Sequence, residues 1–104
     1  MRVIRRPAPP REYLVALGIT RRKTYIAVGD VMAVLPTSPW LPEMQATKCM
    51  VFGYRKFVEL GQLVRWGEVL LAAEYKEQAR AVEKLSAWVE DAADSARKLP
   101  AFAG

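Results

Sequence analysis

The sequence predicts an α+β fold: a small antiparallel β-hairpin or meander at about 11–36, then two helices at about 43–60 and 68–98. Runs of β-branched and aromatic residues flank a short basic turn in the first segment, which is typical of a β-hairpin. Apolar residues recur at heptad spacing in the last segment, which is typical of an amphipathic helix. Proline and glycine residues mark where the segments end.

The chain of 104 residues has the length of one domain. Its apolar fraction of 52% and charged fraction of 26% are those of a globular protein rather than a disordered chain. Residues 1–10 contain three prolines and are expected to form an extended basic arm, residues 11–99 a single domain and residues 100–104 a tail. With neither a signal-peptide pattern nor a long apolar run, the chain is expected to be cytoplasmic and not to bind a membrane.

The β unit consists of two apolar segments, 13–17 and 24–28, on either side of the basic residues 21–23. A third short strand is expected at 31–35, unless Gly29-Asp30 forms a bulge within one long strand. The first helix is expected to begin at Pro39 or Pro42 and to end at Gly61. Residues 47–54 are rich in residues that favour strands, so a strand there is the alternative.

The second helix carries an apolar stripe that is expected to be an interface. About 30 residues at 1.5 Å each would span about 45 Å, which exceeds the diameter of about 35 Å of a compact domain of this size. A homodimer or a protein partner is therefore expected to cover the excess. The predicted interface comprises Leu71, Tyr75, Val82, Leu85, Trp88, Val89 and Ala92.

The residue inventory excludes most enzyme chemistry. Without histidine, neither a Ser-His-Asp relay nor an HExxH metal site can be built. The one cysteine, Cys49, cannot form an intramolecular disulfide, and no glycine-rich phosphate loop is present. Asp91 and Asp94 are one turn apart, but a solvated helix face explains them more simply. We predict a non-enzymatic protein without a cofactor, a metal site or a small-molecule substrate.

Positive charge is concentrated at the start of the chain. Residues 1–23 hold seven basic residues and one acidic residue, whereas residues 24–104 hold nine basic and ten acidic residues. This asymmetry favours a basic surface that binds nucleic acid or an acidic protein. We therefore predict a small regulatory or binding protein whose basic contacts are Arg5, Arg6, Arg11, Arg21, Arg22 and Lys23.

Residues 17–25, with the sequence Leu-Gly-Ile-Thr-Arg-Arg-Lys-Thr-Tyr, give an alternative function. This segment is similar to the turn and recognition helix of small helix-turn-helix regulators. The resemblance implies a left-handed Gly18, a helix cap at Thr20 and a recognition helix that presents residues 21–23 to the DNA major groove. It departs from the pattern at Thr24, where a buried aliphatic residue is expected, at Leu14, where a small one is usual, and in residues 26–29, which form a poor helix sequence. The alternative is a DNA-binding regulator that uses residues 11–32.

Overall fold

The structure, a computed structural model, describes residues 11–20, 22–35 and 40–98. The expected arm at 1–10 and tail at 100–104 lie outside the described residues. The elements are α1 (Arg11–Leu17), β1 (Tyr25–Ala27), α2 (Val28–Val34), α3 (Pro42–Gln45), β2 (Met50–Phe52), β3 (Arg55–Glu59), α4 (Leu60–Ala72) and α5 (Lys76–Arg97). The predicted α+β class, antiparallel sheet and long C-terminal helix are confirmed, but several elements lie elsewhere in the sequence than predicted.

The three strands form one antiparallel sheet in the order β1-β3-β2. Ile26 of β1 pairs with Val58 of β3, and both side chains join the main core beneath the helices. Their strand neighbours point to the other face, where Tyr25, Ala27 and Phe57 form a second buried cluster. The sheet therefore separates two apolar clusters, and β1 and β2 are its outer strands.

The strand predicted at 13–17 is wrong, because these residues belong to helix α1. Leu14 and Leu17 are buried at helical spacing, and the helix ends in a Schellman motif. In that motif Gly18 has φ +61°, its N–H donates to Val15 O, and the N–H of Ile19 donates to Leu14 O. A buried contact at Leu14 and Ile19 completes the cap.

The third strand predicted at 31–35 is also wrong, and so is the alternative of a bulge at Gly29-Asp30. Residues 28–34 form helix α2, which follows β1 directly. Val31 and Leu35 are buried four residues apart, and the N–H of Leu35 donates to Val31 O at 3.0 Å. Apolar residues at that spacing face one side of a helix, whereas in a strand they would alternate.

The helix predicted at 43–60 is replaced by a short helix and a β-hairpin. Helix α3 begins at Pro42, one of the two predicted starts, and ends at Gln45. β2 and β3 follow, joined by a two-residue turn whose first residue, Gly53, has φ +62°. Glycine in that position is typical of a type II′ hairpin turn. The alternative of a strand within residues 47–54 is confirmed, and Gly61 is the second residue of α4 rather than the end of a helix.

The continuous helix predicted at 68–98 is divided into an antiparallel pair, α4 and α5. The chain reverses at residues 73–75, where Glu74 takes φ +68°. The N–H of Tyr75 donates to Leu70 O at 2.9 Å, and that of Glu74 donates to Leu71 O at 3.0 Å. This is the Schellman pattern of α1, with glutamate where glycine is usual.

Helix α5 buries its apolar stripe within one molecule. At 22 residues it spans about 33 Å, less than the 42 Å extent of the protein. The helix is therefore not too long for one molecule, and the prediction that its excess length needs a partner is wrong. The side chains that α5 buries against α4 and α2 are Ala79, Val82, Ser86, Val89, Ala93 and Ala96.

Contacts of Trp66 fix the chain on both sides of α3 to α4. Trp66 Nε1 donates to Thr47 Oγ1 at 2.9 Å, and the Trp40 ring meets the Trp66 ring edge-on at 5.4 Å. Leu63 and Leu70 lie with Trp66 on the buried face of α4.

None of the helices in the described part of the chain has both the length and the apolar character needed to span a bilayer.

Candidate functional site

Two of the predicted basic residues, Arg22 and Lys23, lie exposed in the loop between α1 and β1. Arg11 is the first residue of α1, and nothing is described of its side chain. Arg5, Arg6 and Arg21 lie outside the described residues. The loop is thus the part of the predicted basic surface that can be placed on the fold.

Hydrogen bonds fix the loop in place. Thr20 Oγ1 accepts from the N–H of Lys23 and donates to Lys23 O, both at 3.0 Å. Arg97, in the last turn of α5, donates from Nη2 to Thr24 Oγ1 at 2.6 Å and from Nε to Thr20 O at 3.2 Å. Thr24, which stands where the helix-turn-helix pattern has an aliphatic residue, is buried with its hydroxyl bound to the guanidinium. The cations at 22 and 23 therefore project from an anchored loop.

The structure agrees only in part with the helix-turn-helix resemblance. Gly18 is left-handed, as the resemblance implies. Thr20 closes a local turn instead of capping a helix, and β1 begins at Tyr25. The implied recognition helix is therefore not formed in the described residues of this segment. The next helix, α2, carries no basic residue.

A cluster of three aromatic rings joins this loop to the β2–β3 hairpin. The Phe52 ring meets the Tyr25 ring edge-on at 5.3 Å and the Phe57 ring at 5.2 Å. Tyr25 and Phe57 are buried, whereas Phe52 is 40% exposed. Gly18, where the loop begins, also lies beside the Phe52 and Phe57 rings, and the loop ends next to Tyr25, so both ends of the loop border the aromatic cluster.

The hairpin projects its side chains into solvent. All three residues of β2 are exposed on both faces of the strand. Tyr54, at the turn, is fully exposed at 106%. This site was not predicted, because residues 43–60 were expected to form one helix, in which residues 53 and 54 form no exposed turn. The signal was the Gly-Tyr pair between two β-rich runs, since glycine followed by any residue is a hairpin turn pattern.

The tip of the hairpin is basic as well as aromatic, since Arg55 and Lys56 follow Tyr54 directly and the one acidic residue of the hairpin, Glu59, lies at the far end of β3. Residues 44–58 contain three cations and no acidic residue. All three cations are exposed, and the Arg55 guanidinium lies 5.7 Å from the centre of the Phe57 ring. We call the combined region the aromatic–basic surface: Arg22, Lys23, Lys48, Phe52, Tyr54, Arg55 and Lys56.

The predicted interface of the C-terminal helix is only partly accessible. Val82 and Val89 are fully buried in one molecule, and Leu85 and Ala92 are half-buried, so they cannot form the centre of an interface. Leu71, Tyr75 and Trp88 are exposed. Of these, Leu71 borders an open groove between α4 and α5.

The groove has a volume of about 510 Å³ and a mixed lining. Val64, Leu71 and Ala79 supply its apolar part, and Gly67 lets α4 approach Val82 closely. Its charged lining comprises Glu68, Lys76, Arg80 and Glu83, two charges of each sign.

Within the described ranges, acidic and cysteine side chains form no group of three that could hold a metal ion. Asp91 and Asp94 are exposed on α5, and Cys49 is half-buried beside Thr47 O. Comparison of the chain with family models, curated proteins and solved structures finds no match.

Proposed function

We propose that this is a non-enzymatic nucleic-acid-binding protein that works through the aromatic–basic surface. The observation that carries the proposal is the exposed hairpin, on which a fully exposed Tyr54 stands among cations with no acidic residue from 44 to 58. Cations attract phosphates and release their counterions, while exposed aromatic rings stack with bases. Tyrosine and arginine are also enriched at protein–protein interfaces, so an acidic protein is the competing partner against which oligonucleotide binding is tested.

The charge distribution supports the same surface. The chain has a net charge of +5. Helix α5 holds four basic and five acidic residues and so contributes nothing to the excess. The aromatic–basic surface, by contrast, holds five exposed cations, two in the loop before β1 and three in or just before the hairpin. Arg5, Arg6, Arg11 and Arg21 stay predicted contacts of the same nucleic-acid partner.

A salt titration tests the proposal. If all five cations contact phosphates, log K should fall with log salt at a slope of about −4.5 for duplex DNA and about −3.5 for a single strand. Replacing both Arg55 and Lys56 by alanine removes two contacts and should make the duplex slope shallower by about 1.8. Fluorescence anisotropy of labelled oligonucleotides gives both slopes.

The matched control is Lys84→Ala, which removes an exposed cation from α5 and should leave the slope unchanged. Absence of binding by either oligonucleotide at about 50 mM salt contradicts the proposal, since electrostatic binding is strongest at low salt.

We propose as a second function self-association through the groove between α4 and α5, which takes the place of the interface predicted from helix length. The occupant is a second copy of this chain, because the groove lining carries two charges of each sign and is self-complementary. In an antiparallel two-fold arrangement of the α5 helices, Arg80 of each copy would face Glu83 of the other. The exposed Leu71 would then be covered.

Charge exchange between two variants tests this self-association. Arg80→Glu and Glu83→Arg should each be monomeric because like charges would oppose one another across the interface. Mixing the two should restore a dimer, in which every such pair is again opposite in sign. Sedimentation velocity at micromolar concentration measures the outcome.

Leu71→Asp should also give a monomer, since it introduces a charge into the groove from a side chain that is already 58% exposed. Val51→Asp makes the same kind of change at a 62% exposed position in β2 and should leave the dimer intact. A wild-type protein that sediments as a monomer would refute the self-association.

A further inference from the structure

We infer that the aromatic–basic surface binds unpaired nucleotides, whose bases stack on Tyr54 and Phe52, in preference to a duplex. This inference rests on the proposed nucleic-acid binding and adds the class of strand that is bound. The surface combines the two features of proteins that bind single strands without sequence preference: cations along the backbone path and aromatic rings for the bases.

The Tyr54 side chain is fully exposed and free to stack with a base. Its ring stands at the tip of a two-residue turn, and its accessibility is that of an isolated tyrosine. Gly53 beside it leaves open space, since a Cβ at that position would meet no atom within 4 Å. A base within a duplex already stacks on its neighbours, whereas an unpaired base has a free face for such a ring.

The neighbouring ring, that of Phe52, is held in place by two other rings. Phe52 contacts the buried rings of Tyr25 and Phe57 edge-on, and its remaining surface faces solvent. A ring held in this way loses little conformational entropy when a base stacks on it. Phe52 and Tyr54 therefore offer one fixed and one free aromatic surface on either side of Gly53.

The side chains of β2 are apolar. Met50, Val51 and Phe52 have no side-chain groups that could read the edges of base pairs. The recognition helix that would present residues 21–23 to a major groove is not formed in the described residues of that segment. Strand β2 therefore offers the bases apolar and stacking contacts, while the proposal assigns Arg55 and Lys56 of β3 to the phosphates. In this arrangement, binding should tolerate different base sequences.

The test compares a single-stranded oligonucleotide with a duplex of the same length, by anisotropy at one salt concentration. We expect the single strand to bind at least about tenfold more tightly. Tyr54→Ala should weaken single-strand binding by about 5- to 150-fold, the range that follows from losing one base–aromatic stack. Tyr54→Phe should keep the affinity because it keeps the ring.

Tyr75→Ala is the control, since it removes a tyrosine that is exposed at the start of α5. Circular dichroism of each variant confirms folding, which the full exposure of Tyr54 should preserve. Equal affinity for the two strand forms, or an unchanged affinity in Tyr54→Ala, would overturn the inference and leave the proposed nucleic-acid binding standing. Failure of both oligonucleotides to bind would overturn both.

Discussion

Two residues with left-handed backbone, Gly18 and Glu74, close the same kind of helix end. At each, the next residue donates its N–H to a carbonyl five positions earlier, Ile19 to Leu14 and Tyr75 to Leu70. Glycine adopts this conformation without a steric penalty, whereas a residue with a Cβ pays about 1–2 kcal/mol. Identical geometry thus has a different cost at the ends of α1 and α4.

Replacing glycine at position 18 and introducing glycine at position 74 should change the free energy of unfolding in opposite directions. Gly18→Ala should lower the free energy of unfolding by about 1–2 kcal/mol through backbone strain, and its Cβ would lie 3.2 Å from the Tyr25 Cβ. Glu74→Gly should raise it by about 0.5–1 kcal/mol, since relief of strain exceeds the added entropy of the unfolded chain. Urea denaturation measures both changes.

Gly53→Ala separates backbone strain from packing, because Gly53 has φ +62° and open space around it. It should lower the free energy of unfolding through backbone strain alone, since a type II′ turn favours glycine at its first position. A Gly53→Ala variant as stable as the wild type would contradict the turn assignment. A destabilised Glu74→Gly variant would refute the strain assigned to Glu74.

At the scale of elements, the break between α4 and α5 could not be predicted from turn residues. The reversal at residues 73–75 contains Ala, Glu and Tyr, none of which signals a helix end. The left-handed Gly18, by contrast, could be predicted, because glycine after an apolar run followed by another apolar residue is a usual helix end.

The buried face of α5 was predicted in part. Val82 and Val89 were predicted to lie in the apolar stripe, and both are buried. Between them, the stripe took Leu85 where the structure buries Ser86. The Ser86 hydroxyl donates to Val82 O at 2.8 Å within the same helix. This hydrogen bond allows the polar side chain to be buried on the apolar face of α5. Residue polarity alone does not reveal that arrangement.

The candidate site was predicted only on its loop side. Arg22 and Lys23 stood out because they are consecutive cations in a polar turn. The hairpin could not be recognised as a surface in the same way, because Val51 and Phe52 are of the residue types that usually fill a core. Their exposure depends on where the covering helices end, which is a property of tertiary packing.

At the scale of the whole molecule, the fold is a thin body of 42 × 42 × 21 Å with two separate surfaces. The sheet and its preceding loop carry the aromatic–basic surface, while α4 and α5 carry the groove. The two surfaces share no residue. We therefore expect that substitutions can remove the proposed nucleic-acid binding and the proposed self-association independently of each other.

The most direct test of nucleic-acid binding is to map the contact by NMR, titrating the ¹⁵N-labelled protein with a single-stranded oligonucleotide. We expect the amide signals that shift to belong to residues 22–25 and 48–57, because these segments carry the cations and the aromatic cluster. Signals of the groove residues between Lys76 and Ser86 should stay in place. Shifts concentrated in α4 and α5, with the hairpin signals unchanged, would contradict the account.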